Sequence, residues 1–367
     1  MLVTRLELRD FRNYEAAQLD LPGGLTVVVG PNGAGKTNLL EALYFGCTGA
    51  SPRTSNEREL VRRGATVARV VIETQGEDAV HRLEAGFQPG EAKRLRLDGS
   101  AVDSLAGLEA RPLVSVFLPE RLALVKGAPA ARRAHLDQVV AALWPARAAT
   151  RVAYSRALAQ RNALLGRVRA GASGPGALDA WDAELARQGA ALMEDRAEAV
   201  DGLREPFARL GEQLGLAGPA EVRYRPRSPA SDAAGLAAEL SERRTADIER
   251  GFTAHGPHRD ELALALDGSP LRAYGSQGQQ RTALLALLFA ERELLASRRA
   301  RLPLMLLDDV MSELDSERRE LLAELLRSGG QSIVTATEPD HVPGASEEEL
   351  VRVGGGVVLG PVAVTGA

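Results

Sequence analysis

A single cysteine, Cys47, stands in a chain of 367 residues. It excludes an intramolecular disulfide and any cysteine-rich metal site, suits a reducing compartment, and reads as core packing. No apolar run approaches the roughly 20 residues of a membrane-spanning helix, so no membrane partner is expected. The opening "MLVTRLELRD" lacks a charged region followed by an apolar one, so export is not expected and the location reads as cytoplasmic. Neither sign of charge dominates: 45 Lys and Arg face 49 Asp and Glu, for a net charge of -4. That balance excludes a uniformly basic nucleic-acid binder and leaves room for a local basic face. His255 and His258 flank Gly256 and Pro257 without cysteine or acid at ligand spacing, which excludes a zinc site; His258 and Arg259 read as structural.

Lysine is scarcest among the charged residues, 3 against 42 arginines, yet one of the three sits in "VVVGPNGAGKTNLLEALYFG", residues 27–46. Gly30, Gly35, Lys36 and Thr37 satisfy G-x-x-x-x-G-K-[ST] directly after the apolar run 25–29, which predicts a buried strand, a phosphate loop and a helix. Glycines let backbone amides curl round phosphates, and the following helix aims the positive end of its dipole at them. The loop residues Gly30, Pro31, Asn32, Gly33, Ala34, Gly35, Lys36, Thr37 and Asn38 are the candidate nucleotide contacts. Lys36 is assigned to the β- and γ-phosphates of ATP and Thr37 to Mg²⁺. A compact ammonium fits such a cradle where a planar guanidinium does not.

Residues 2–100 read mostly as strands, among them "LVTRLEL", "ARVVIET", "AVHRLEAGF" and "RLRLDGS", the last with an Asp-Gly hairpin turn. From about residue 130 the pattern turns to Ala/Leu/Arg-rich helix, with breaks expected at Pro145, at 171–176 and at Pro206. Tyr154, Leu158, Leu165 and Val168, then Trp181, Leu185 and Leu192, keep helical spacing and predict an antiparallel helical hairpin. Arms of roughly 25 to 30 residues would extend about 40 Å. After Phe252 the β and loop pattern returns, with a helix expected over 279–298, a strand over 302–307, a helix over 316–328, the strand "QSIVTAT", and a C-terminal strand with a frayed tail over 353–367. The division expected is 1–128 for the first half of a head, 129–250 for an inserted helical lobe and 251–367 for the rest of the head.

"LPLMLLDDVMSELD" ends an apolar strand on Asp308 and Asp309. Beside a phosphate loop, a strand-end carboxylate holds the metal and a second acid orients the attacking water. Asp308 is assigned to Mg²⁺ and Asp309 to water. In "YGSQGQQRT", Ser276, Gln277, Gly278 and Gln279 open a predicted helix and form a second anion site. Two phosphate-binding helix starts in one chain suggest a pocket shared between two copies.

These stretches resemble the Walker A, signature, Walker B and D-loop segments of ABC-type ATPase heads, as in SMC proteins, with Ser312 to Asp315 as the D-loop. More narrowly, "LELRDFRNY", "GPNGAGKTNLLEA", "KGAPAARRAHLD", "GPHRDEL", "GSQGQQRT" and "LLDDVMSELD" resemble the RecF family of bacterial recombination and repair ATPases, over nearly the whole chain. The resemblance implies an α/β fold: an ABC-type head, a P-loop α/β core plus an antiparallel β subdomain, with an inserted short helical lobe. It implies slow, DNA-stimulated Mg-ATPase activity, an ATP-dependent homodimer on gapped or junction duplex DNA, RecR, RecO and RecA as partners, and a nucleoid-associated location. It also suggests Arg12 as a nucleotide-side arginine. The chain departs from transporter heads in having Asp309 where those have Glu, no switch histidine directly after "IVTAT", leaving Thr335 and Thr337 nearby, and no Q-loop Gln in "VSVFLPERL". A transporter or translation-factor ATPase and an SMC-like tether are the alternatives. The missing membrane segments count against the first and the short hairpin against the second; a GTP switch lacks its N-K-x-D motif. For DNA, Arg53, Arg62 and Arg63, with Arg132 and Arg133, are the candidate backbone contacts.

Overall fold

The computed structural model describes residues 1–105 and 108–359. The chain forms two compact units, Met1–Arg121 with Gln213–Gly215 and Leu295–Ala367, and Leu122–Glu212 with Leu216–Leu294. The second unit is wider than the lobe expected over 129–250, because it takes in the segment 251–294 that the sequence placed in the head. Residues 360–367 of the expected tail lie outside the described residues.

The first unit holds two six-stranded sheets. One is antiparallel, in the order β2 (Tyr14–Asp20), β1 (Leu2–Phe11), β4 (Ala68–Gln75), β5 (Val80–Phe87), β6 (Arg94–Leu97) and β7 (Ser100–Val102). In β1 the alternation buries Leu6 and Leu8 and turns Arg5, Glu7 and Arg9 to the other face, the period-two pattern of a half-covered sheet. The second runs β15 (Val357–Leu359), β14 (Leu350–Gly354), β3 (Leu25–Val29), β13 (Ser332–Ala336), β12 (Leu304–Leu307) and β8 (Val114–Phe117), parallel except for the β14–β15 hairpin. All residues of β3, β12 and β13 are buried, as a covered parallel sheet requires. Gln331 ties the sheets: its amide oxygen accepts from the Val3 amide at 2.8 Å and its nitrogen donates to Val3 and Pro22 carbonyls at 2.6 and 2.8 Å. The helix Lys36–Thr48 lies in the shared core, where Leu39, Leu40, Leu43 and Phe45 are fully buried. Cys47 is there too, and burial pushes its thiol up to about 12, so it packs rather than reacts.

The second unit is built on the helices Ala148–Arg169 and Asp179–Gln213 and a three-stranded sheet of β11 (Ser269–Pro270), β10 (Glu261–Leu266) and β9 (Ala220–Arg225). Tyr154, Leu185 and Leu192 bury as their spacing predicted. The arms are unequal, 22 and 35 residues, because Pro206 does not end the second helix. Leu203, Phe207 and Leu210 continue its buried face past the proline, and that packing outweighs one lost helical hydrogen bond. β9 went unforeseen; its alternation of Val222 and Tyr224 with arginines is short, and six residues carry little periodic signal. Arg161, fully buried, is held by Asp182 at 2.6 Å, Asp247 at 2.7 Å and the Thr253 hydroxyl at 2.8 Å, so this charge is internal framework.

Candidate functional site

Parallel pairing of β3, β13, β12 and β8 brings their carboxyl ends to one edge, where ligands of open α/β sheets bind. The loop 30–35 leaves that edge from Val29 and enters the helix at Lys36. Gly35 turns the corner at φ 116, and a Cβ there would lie 2.7 Å from the Tyr14 hydroxyl. The turn is buttressed: Tyr14 donates to the Gly35 carbonyl at 3.0 Å, Asn13 to the Ala34 carbonyl at 3.3 Å, and Asn38 to Asn13 at 2.8 Å. Pro31, Asn32 and Gly33 remain exposed, so the outer face of the loop is open.

Lys36 is 7% exposed and its ammonium donates to the carbonyls of Gly30 at 2.7 Å and Pro31 at 3.1 Å. Burial lowers its pKa, and the charges of Asp309 and Asp308 oppose that shift. Asp308, buried at the end of β12, has both oxygens held by hydroxyls: Thr37 donates to Oδ2 at 2.8 Å and Thr335 to Oδ1 at 2.7 Å. Burial raises its pKa, while the two hydroxyls oppose the rise. Asp309 is exposed, adopts φ 48, and donates its amide to the Thr335 hydroxyl at 2.9 Å. A non-glycine residue in this left-handed region carries strain that the surroundings must impose, and Asp tolerates it better than most. The structure thus brings Lys36, Thr37, Asp308 and Asp309 together. A hydroxyl beside a buried carboxylate is a hard-oxygen pair suited to Mg²⁺, which takes few protein ligands and leaves places for phosphate oxygens and water.

Three residues at this edge have roles that the sequence reading did not assign. Thr335, left over from the missing histidine, joins the two aspartates. Glu41, fully buried on the loop helix, takes Arg12 in two hydrogen bonds of 2.8 and 2.7 Å, Arg53 at 3.1 Å and the Ser51 hydroxyl at 2.6 Å. A lone acid in the apolar "NLLEALYF" was the available signal. Glu120, just beyond β8, pairs with Arg53 at 3.4 Å. Arg12, at φ 54 in the β1–β2 turn, therefore braces the loop helix through Glu41.

The signature segment belongs to the second unit. Ser276 caps the helix Gln277–Arg299: its hydroxyl accepts from the Gln279 amide at 3.2 Å and Gln279 accepts from the Ser276 amide at 2.8 Å. This is a capping box, and it leaves Gln277 and Gly278 exposed at the helix start.

Of the candidate DNA contacts, two are corrected. Arg132 is 3% exposed and forked onto Glu261 at 2.6 and 2.8 Å, with Gly127 and Val125 carbonyls beneath it, so it offers no charge to a phosphate. Arg53 is drawn inward to Asn38, Glu41 and Glu120, and its charge reaches Asp308. Arg62 is paired with Asp10 at 2.8 Å. Arg63 is exposed, and Arg133 donates to the Asp260 carbonyl at 2.8 Å.

The family described as RecF/RecN/SMC N-terminal domain matches residues 2–355. The DNA replication and repair protein RecF of Streptomyces avermitilis is 39% identical over 98% of this chain and 99% of its own length. The chain belongs to the RecF family. A solved structure of the family, the recombination mediator protein RecF with ATP in the RecFOR pathway, superposes with a TM-score of 0.88 and 27% identity, over 98% of each chain. An Smc head domain with a coiled coil and joint from Pyrococcus yayanosii shares the fold at a TM-score of 0.61 and 14% identity, covering 98% of this chain and 97% of that one. The RecF-family chain is thus an ABC/SMC-type ATPase head. No helix among the described residues is long and apolar enough to cross a membrane.

Proposed function

We propose that this RecF-family protein binds ATP and Mg²⁺ at the Lys36 loop, pairs head to head around two nucleotides, and clasps duplex DNA at gaps or junctions, where it helps place the RecA recombinase with RecR and RecO in the cytoplasm at the nucleoid. The observation that carries the reading is the Thr37–Asp308–Thr335–Asp309 chain of hydrogen bonds at the mouth of the phosphate loop. In that role the loop amides and Lys36 bind and orient phosphates, Thr37 and Asp308 hold the metal, and Asp309 positions water. Bound Mg²⁺ would supply charge neutralisation at the phosphates. Asp309, one methylene shorter than the usual glutamate, favours slow turnover. Closure with ATP and opening after hydrolysis would time the stay on DNA.

Thr335→Val removes the donor to Asp308 and the acceptor for the strained Asp309 amide while keeping the shape. Turnover should fall about 10- to 100-fold with ATP affinity little changed, and Thr335→Ser should keep most activity. Equal turnover in wild type and Thr335→Val would show that Asp309 is placed by other means.

The shared pocket is tested at Ser276. Ser276→Arg fills the gap with bulk; Ser276→Ala, which loses only the cap, is the control for its cost of about 1 kcal/mol. Sedimentation should show ATP-dependent dimers for wild type and Ser276→Ala but monomers for Ser276→Arg, each chain still binding ATP. ADP should not replace ATP, because only the γ-phosphate reaches the second helix start. Mixing Lys36→Ala with Ser276→Arg should restore up to roughly a quarter of the activity, since one mixed site carries neither lesion. Normal ATP-driven pairing of Ser276→Arg would refute the shared pocket.

A further inference from the structure

We propose that Arg133, Arg225, Arg227 and Arg259 form a phosphate-binding surface on the second unit that takes the backbone of duplex DNA; this rests on the DNA-binding reading above and names the surface that performs it. Two of the four meet one residue of the "GPHRDEL" stretch, and the other two lie next to it in the chain or across the ladder from its neighbour. Asp260 is fully buried at the start of β10. Its Oδ1 accepts from the Arg227 amide at 2.7 Å, its Oδ2 from Arg196 at 3.2 Å and from the Tyr224 hydroxyl, and its carbonyl from Arg133 at 2.8 Å. Arg259 precedes it in the chain, and Arg225 pairs across the β9–β10 ladder with Glu261, which follows it. Arg259 is close enough for its charge to be felt at Arg133.

Neighbouring arginines are neutralised: Arg132 by Glu261, Arg196 by Asp137 and Asp260, Arg223 by Glu221. Among the described residues, Arg133, Arg225, Arg227 and Arg259 have no carboxylate at ion-pair distance; Arg225, Arg227 and Arg259 are exposed and Arg133 half-buried. Glu261, the acid nearest in the ladder, is already occupied by Arg132. His258 adds no charge, because burial lowers it to about 4 while its ring holds the Tyr154 hydroxyl at 2.7 Å and the Thr253 carbonyl at 3.0 Å. The framework is thus internally satisfied, and Arg225, Arg227 and Arg259 stand exposed at its surface with Arg133 half-buried beneath. Four like charges held together repel one another, and a polyanion relieves that repulsion. Planar guanidinium forks match phosphate oxygens two at a time, without regard to base sequence. A DNA backbone is favoured over an acidic protein because the relatives of this chain are DNA replication and repair proteins.

The test uses the full chain with ATP, Mg²⁺ and a gapped duplex, titrated by fluorescence anisotropy between about 50 and 200 mM salt. For Arg227→Gln with Arg259→Gln we expect a 10- to 100-fold loss of affinity, on the order of what two phosphate contacts supply, and a log–log salt slope shallower by about two. ATP affinity should not change, which also reports intact folding. If that double variant fails to fold, Arg225→Gln, at an exposed strand position, should flatten the slope by about one. Wild-type binding with affinity and slope untouched by these substitutions would overturn the surface and leave DNA binding standing, pointing the cluster toward an acidic protein. Failure of the wild-type chain itself to bind duplex would overturn the DNA reading and this surface together.

Discussion

Lys36→Ala should lose ATP binding by at least about a hundredfold, on the order of 3 kcal/mol, as read by titration with a fluorescent ATP analogue. The residue carries the one ammonium inside the loop, and the structure adds why its charge is potent there. It is 7% exposed, so little water screens it, and the Gly30 and Pro31 carbonyls hold the ammonium in the loop. Lys36→Arg should fail nearly as badly despite keeping the charge, because a planar fork cannot occupy a niche built for a point charge. The bulk fold should survive both changes, since the helix Lys36–Thr48 is anchored by Leu39, Leu40, Leu43 and Phe45. A thermal melt alongside the titration checks this. Retained ATP affinity in a folded Lys36→Ala protein would remove the phosphate-loop assignment.

Asp309→Asn should bind ATP and form dimers yet hydrolyse at least about a hundredfold more slowly, so that dimers persist. Asparagine is the informative replacement. Asp309 sits at φ 48, a conformation that Asn adopts about as readily as Asp, so the backbone and the Thr335 hydrogen bond are expected to stay and only the charge is removed. Asp309→Ala would confound the loss of a carboxylate with release of strain. Asp308 remains on its two threonine hydroxyls in the variant, which is why binding should be spared. Single-turnover and steady-state rates measured together separate slow chemistry from slow dimer opening. Undiminished turnover would assign water positioning to another group.

The sites most legible in the sequence were those whose chemistry is local. The phosphate loop is a run of consecutive residues whose backbone makes the site, so its spacing alone locates Lys36 and Thr37. Asp308 follows from the same logic, because a strand ending in an acid is visible without knowing its neighbours. Arg132 and Arg53 show the limit. Both stood in clusters that read as basic surface, and each is turned inward by acids outside its own cluster, Glu261 for Arg132 and Glu41 and the distant Glu120 for Arg53. Whether an arginine is a surface charge or an internal strut depends on a partner that spacing cannot reveal.

The sequence by itself determined the phosphate loop, the acidic strand end, the helix start at Ser276 and the period-two strands, because hydrogen bonding and periodicity over a few residues fix each of them. Only the tertiary structure decided that Thr335 joins Asp308 to Asp309, that Pro206 lies within a helix, and that the buried Asp260 collects Arg133, Arg196, Tyr224 and the Arg227 amide. The reason is common to all three. A parallel sheet brings the ends of distant strands to one edge, packing of a buried face outweighs a local break, and a buried carboxylate must collect donors from wherever the chain returns, so these outcomes depend on contacts between residues far apart in sequence.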